Sequence, residues 1–85
     1  MKRVGIVGII VKDNKVAAKE IQSILTEMSD IIIGRMGIPD RVNKFNIISV
    51  AVAGDTESIS ALAGKLGRLE GVSVKSAITS FEIYE

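Results

Sequence analysis

Positions 4–11 read VGIVGIIV and contain no polar side chain. A strand that is apolar on both faces is typical of the centre of a sheet. Positions 47–53 read IISVAVA, and Ser49 is the only polar residue in that run. These two segments predict the two central strands of one sheet.

An amphipathic helix and a further strand follow each central strand. Asp13 or Asn14 can cap the first helix, and Gly54-Asp55-Thr56 forms the turn and cap before the second. A strand opens at Ile31 after the first helix, and partial alternation from Val72 to Ile78 predicts an edge strand after the second. The apolar residues at helical spacing are Ala17, Ile21, Ile24, Leu25 and Met28 in the first helix, and Ile59, Leu62, Ala63 and Leu66 in the second.

The order strand-helix-strand thus occurs twice, over Val4–Ile38 and again over Phe45–Tyr84. This β-α-β-β-α-β order predicts an α+β, ferredoxin-like sandwich, in which a four-stranded antiparallel sheet carries two helices on one face. The first and third strands are then central and the second and fourth lie at the edges. We expect a single domain over residues 1–85, because domains of this size rarely divide.

Two helices leave the second face of the sheet uncovered, although both central strands place aliphatic groups there. Monomers rarely expose such a patch, so we expect a homo-oligomer, a dimer or a tetramer, that pairs through the open sheet face. The alternative is a monomer whose linker or tail folds over the sheet. If Ile6, Ile10 and Ile48 face the helices, the expected interface residues on the open face are Val7, Ile9 and Val50. The opposite assignment of the two sets to the two faces of the sheet is the alternative.

The tail beyond Ile78 continues to alternate apolar with polar residues after the four strands are complete. Phe81 and Ile83 are its apolar members. We therefore expect this tail to extend the last strand across a neighbouring chain and to contribute both residues to the interface.

The composition excludes several kinds of chemistry. The chain has no Cys and no His, so disulfides and the commonest catalytic and metal-binding side chains are absent. Eleven basic and ten acidic residues give a net charge of +1, which is not the basic balance of a nucleic-acid-binding domain. No apolar stretch approaches the ~20 residues of a membrane span. We expect a cytoplasmic protein that is not an enzyme and has no membrane contact, metal or cofactor.

Three glycine-containing motifs were candidates for a binding site. Gly5 and Gly8 lie inside a strand rather than at a strand–helix turn, so they indicate close packing across the sheet rather than a nucleotide loop. The segment Gly64–Arg68 lies at the end of a helix, whereas a phosphate loop precedes its helix. Lys65 and Arg68 complement the negative end of the helix dipole there, with an anion contact as the alternative. Gly34-Arg35-Met36-Gly37 has two interpretations. Arg35 between two glycines suggests the close approach of another chain or of a ligand with a carboxylate or phosphate, and the alternative is a solvated Arg on an edge strand.

Three longer segments resemble the family of iron-only hydrogenase system regulators. They read IGRMGIP at positions 33–39, NIISV at 46–50 and SALAGKLGRLEGVSVK at 60–75. The resemblance extends from Val4 to about Ala77. It implies a ferredoxin-like fold akin to ACT domains and to the C-terminal domain of the nickel-responsive repressor. The His and Cys ligands of that repressor have no counterpart in this chain, so nickel sensing by that route is excluded.

The resemblance also implies a regulatory function. Like ACT domains, such an oligomer could bind a small anionic or amino-acid-like ligand between subunits, near the turn after the first strand. The matching residues are Asp13 and Asn14, with Gly34 and Arg35 as a partner surface. The alternatives are a ligand-free module that docks on a hydrogenase-maturation partner, and a transcriptional regulator that acts through a partner. Direct DNA binding is not expected, since only Met1-Lys2-Arg3 precedes the first strand.

Overall fold

The computed structural model describes residues 1–12 and 14–84 and confirms the predicted order of elements. One four-stranded antiparallel sheet has the strand order β2-β3-β1-β4. The elements are β1 (Lys2–Lys12), α1 (Lys15–Glu27), a 3-10 turn (Ser29–Ile31), β2 (Ile32–Asp40), β3 (Phe45–Gly54), α2 (Thr56–Gly67) and β4 (Val72–Ile83).

The hydrophobic core lies between the sheet and the two helices. β1 and β3, the two apolar segments, are central as predicted, and β2 and β4 form the edges. Both helices bury one stripe of apolar side chains against the same face of the sheet. The fully or almost fully buried core residues are Val7, Ile9, Val11, Ala17, Ile21, Leu25, Ile31, Val50, Val52, Ile59, Leu62 and Leu66.

Side-chain caps begin both helices. The Asn14 side chain accepts a hydrogen bond of 3.1 Å from the Ala17 N–H at the start of α1. The Asp55 carboxylate accepts one of 2.7 Å from the Ser58 N–H at the start of α2. Each cap satisfies an N–H group that has no partner within its helix.

The exit from α2 is made by a glycine with positive φ. Gly71 has a φ of 78° and precedes β4 directly, so it supplies the left-handed residue of the α2–β4 connection. A Cβ atom built on Gly71 would lie 3.3 Å from the Asn14 side-chain nitrogen. The turn after α2 therefore packs against the cap of α1.

The structure corrects the prediction for the C-terminal tail. Residues beyond Ile78 extend β4 within the same chain, because Glu82 pairs with Arg3 and Ile83 pairs with Lys2 on β1. The register shifts between these pairs and the Gly5–Ile78 pair, which leaves extra residues of β4 in a bulge. An ion pair of 3.3 Å between Arg3 and Glu82 lies beyond the bulge.

Candidate functional site

The strand register determines which side chains lie on the helix-free side of the sheet, here called the open face. Val7 pairs with Val50 and Ile9 pairs with Ile48, and all four side chains face the helices. Val7, Ile9 and Val50 are 0% exposed, so their assignment to an oligomer interface was wrong. Ile48 and Val50 are two residues apart and must share a face, because side chains in a strand alternate. Ile6 and Ile10 therefore lie on the open face, whereas Ile48 faces the helices together with Val50.

The open face is apolar across its two central strands. Ile6 is 46% exposed and pairs with Ala51 on one side and Ala77 on the other. Ile10 is 45% exposed and pairs with Ile47 and Ser73. The open-face patch, as we define it, consists of Ile6, Ile10, Met36, Ile38, Ile47 and Phe81.

A shallow trough crosses the middle of the patch. Ser49 pairs with Gly8 between the row of Ile6 and the row of Ile10, so small residues separate two ridges of larger ones. Met36 and Lys75 end the trough on the two edge strands. Lys75 is the charged residue of this row, and at the edge its ammonium group can reach water while its stem covers apolar surface.

A small cavity of about 290 Å³ lies at the N-terminal end of α1. Its lining combines the helix start with the end of the α2–β4 connection. Glu20 and Glu70 supply carboxylates there, and Asn14 is the cap of α1. The remaining lining residues are Val16, Ala17 and Leu69. Asp13, the other residue predicted near this turn, lies outside the described residues.

Gly34 and Arg35 lie at the opposite end of α1. Arg35 borders a second cavity of about 260 Å³ with Leu25, Thr26, Ser29 and Ile32, near the C-terminal end of the helix. Since α1 has 13 residues, its two ends are ~20 Å apart. A single chain therefore does not bring Arg35 to the cavity beside Asn14.

The carboxylates of the turns are occupied in hydrogen bonds to backbone N–H groups. Asp40 accepts from the N–H groups of Val42 and Asn43 in the β2–β3 turn, and Asn43 lowers the pKa of Asp40 most. The Ser58 N–H is the largest cause of the lowered pKa of Asp55. Over residues 1–12 and 14–84, no three His, Cys, Asp or Glu side chains gather as a metal site requires.

The chain matches the TM1266-like family, described as an iron-only hydrogenase system regulator, over residues 3–76. It belongs to this family. That description names a regulator rather than an enzyme. No curated protein matches the sequence.

Solved structures agree with the family and the fold. TM1266 from Thermotoga maritima is 36% identical with a TM-score of 0.88, and the match covers 92% of this chain and 98% of that one. The ACT domain of a GTP pyrophosphokinase from Chlorobium tepidum is 14% identical with a TM-score of 0.77, over 91% of this chain and 100% of that one. A protein assigned as a glycine cleavage system transcriptional repressor is 13% identical with a TM-score of 0.71, over 100% of this chain and 50% of that one. The last two similarities concern the fold alone.

No helix in the part of the chain that the structure describes is long and apolar enough to cross a membrane.

Proposed function

We propose that this protein is a regulatory domain of the iron-only hydrogenase system that responds to a small amino-acid-like ligand. The observation that carries the proposal is the family match over residues 3–76, supported by an ACT-like arrangement of strands and helices. The family match supports the assignment to the iron-only hydrogenase system. The class of ligand is argued from the cavity at the start of α1.

The charges around this cavity favour a ligand with both an ammonium and a carboxylate group. The first N–H groups of α1 are a favourable environment for a carboxylate, as at any helix N-terminus. Glu20 and Glu70 line the same cavity and would repel a ligand that carries negative charge only. An ammonium group beside these carboxylates offsets that repulsion. A volume of about 290 Å³ suits a small molecule.

Thermal unfolding with each of the common amino acids at millimolar concentration tests the proposal. An amino acid present at 100 times its dissociation constant is expected to stabilise the protein by ~2.7 kcal/mol. Glu70→Gln should remove that shift, because it removes one carboxylate from the cavity. Glu57→Gln is the matched control: Glu57 is exposed on α2 and does not line this cavity, so the shift should persist.

Two results would contradict the proposal. One is a complete panel that leaves the unfolding temperature unchanged. The other is a shift that Glu70→Gln and Glu57→Gln reduce equally, which would indicate a general charge effect rather than binding in the cavity.

A second candidate is a module that docks on a hydrogenase-maturation partner without a ligand. The exposure of β2 supports it, since seven of its nine residues, Ile33–Pro39, are exposed at the sheet edge. An edge strand offers backbone N–H and C=O groups, and a strand of a partner protein can pair with them and extend the sheet. A silent ligand panel would favour this second candidate.

A further inference from the structure

The chain exposes more surface than is expected for a compact monomer of the same mass. Its accessible surface is 5723 Å². A compact monomer of 9.1 kDa is expected to expose about 4,900 Å². The excess of about 800 Å² equals the surface that one partner buries in a standard protein–protein interface.

The shape of the chain agrees with this excess. The Cα radius of gyration is 12.9 Å, whereas about 12 Å is expected for a compact domain of this length. The principal extents of 42 × 21 × 16 Å describe a thin, elongated slab. Such a slab is what remains when a sheet carries helices on one face only.

The open face has the size and composition of an interface core. Ten consecutive pairs join β1 and β3, from Arg3–Gly54 to Lys12–Phe45. At ~3.3 Å per residue and ~4.8 Å per strand, the four-stranded face spans roughly 600 Å², and side chains that rise above it add accessible area. Neither central strand has a charged side chain between Val4 and Val11 or between Ile47 and Ala53. Depletion of charge at the centre is typical of interface cores.

We propose that the open face binds the open face of a second copy of this chain, so that two sheets pack with their helices outward. A two-fold pair uses one surface twice, which requires that the surface be complementary to itself. The patch meets this requirement, because its aliphatic ridges lie on both sides of the trough formed by Gly8 and Ser49. Lys75 lies on the edge strand, where solvent remains accessible.

Sedimentation velocity of the full chain at micromolar concentration tests the proposal. The wild-type protein should sediment at twice its 9.1 kDa chain mass or at a multiple of it. Ile6→Lys and Ile10→Lys place a charge in the centre of the interface, and each should weaken association at least tenfold. Both side chains are half-exposed in the single chain, so circular dichroism should show a folded variant. Should either Lys variant fail to fold, Ile6→Ser and Ile10→Ser provide the same comparison with a smaller polar group.

Ala61→Lys is the matched control. Ala61 is an exposed apolar residue of α2, so it lies on the helix layer away from the patch, and it lines neither of the two cavities described above. This variant should associate like the wild type. A wild-type chain that remains monomeric would overturn the proposal. An oligomer that persists in both open-face variants would also overturn it, since pairing would then use another surface, such as the β2 edge.

Discussion

The two glycines of β1 have different roles although they lie three residues apart. A Cβ atom added at Gly5 would lie 2.8 Å from the Ala77 carbonyl oxygen, which is backbone and cannot move aside cheaply. At Gly8 the nearest such atom is the Lys75 carbonyl oxygen at 3.8 Å, an ordinary contact. Close packing across the sheet was predicted for both glycines from their position inside a strand. Such close packing occurs at Gly5 only, because the distance between the β1 and β4 backbones depends on the local geometry of β4 next to its bulge.

Alanine substitutions at these two glycines should therefore change the free energy of unfolding in different directions. Gly5→Ala should destabilise the protein by ~1–3 kcal/mol, because β1 and β4 must separate to admit the methyl group. In the single chain, Gly8→Ala should be neutral or stabilise by up to ~1 kcal/mol, because the unfolded chain loses conformational entropy and the nearest atom lies 3.8 Å from the added methyl group. Since Gly8 also lies in the trough of the open face, the comparison is made at a protein concentration low enough to dissociate open-face pairs. Urea unfolding measures both. Equal destabilisation by the two variants would contradict the proposed close contact at Gly5.

At the scale of elements, the hydrophobic pattern predicted the type and order of every strand and helix, but it could not define the face of each strand. The sequence of a strand that is apolar on both sides does not show which of its side chains face the helices, so Val7 and Ile6 are equally good candidates for the core. The pairing register resolves this ambiguity. β4 was predicted too short for a related reason, since its last residues pair beyond a bulge that local alternation does not show.

The candidate cavity was predictable only in part. Asn14 was placed at the turn after the first strand by its capping pattern, which the structure confirms. Glu20 and Glu70 were missed as residues of one cavity, because 50 positions separate them in the sequence. Their proximity depends on how the α2–β4 connection packs against the start of α1.

The cap of α2 should make its stability depend on pH. The Ser58 N–H lowers the pKa of Asp55 below its ordinary value of 3.8, so the carboxylate is favoured in the folded state. A depressed folded-state pKa contributes stability that is present above pH 3.8 and is lost as the pH falls through the lower, folded value. Asp55→Asn should keep the capping hydrogen bond but remove this titration. Urea unfolding from pH 6 to pH 2.5 should show a shallower acid decline for Asp55→Asn than for the wild type (the pH limits bracket roughly the carboxylate range).

Asp30→Asn is the control for that experiment. Asp30 is exposed in the 3-10 turn, and among residues 1–12 and 14–84 its carboxylate has no hydrogen-bond or ion-pair partner. The free energy of unfolding of Asp30→Asn should fall with pH as steeply as that of the wild type. If Asp55→Asn and Asp30→Asn gave the same decline as each other, the assignment of pH dependence to the α2 cap would be contradicted.

For the whole molecule, we propose that a second chain covers the open face. The absence of native cysteines allows a direct measurement, because one introduced thiol is unique in the chain. Ile10→Cys places that thiol within the patch, and Val16→Cys places it on the exposed side of α1. Burial at an interface slows the reaction of a thiol with an alkylating reagent, since the reagent must reach the sulfur.

The alkylation rate of each variant should be measured over a dilution series from high to low micromolar concentration. The Ile10→Cys rate should fall as the protein concentration rises, because association buries the thiol, while the Val16→Cys rate should stay constant. The opposite result is a rate that is independent of concentration in both variants, with the Ile10→Cys thiol as accessible as its half exposure in the single chain implies. The open face would then be uncovered in solution, which contradicts the proposed pairing.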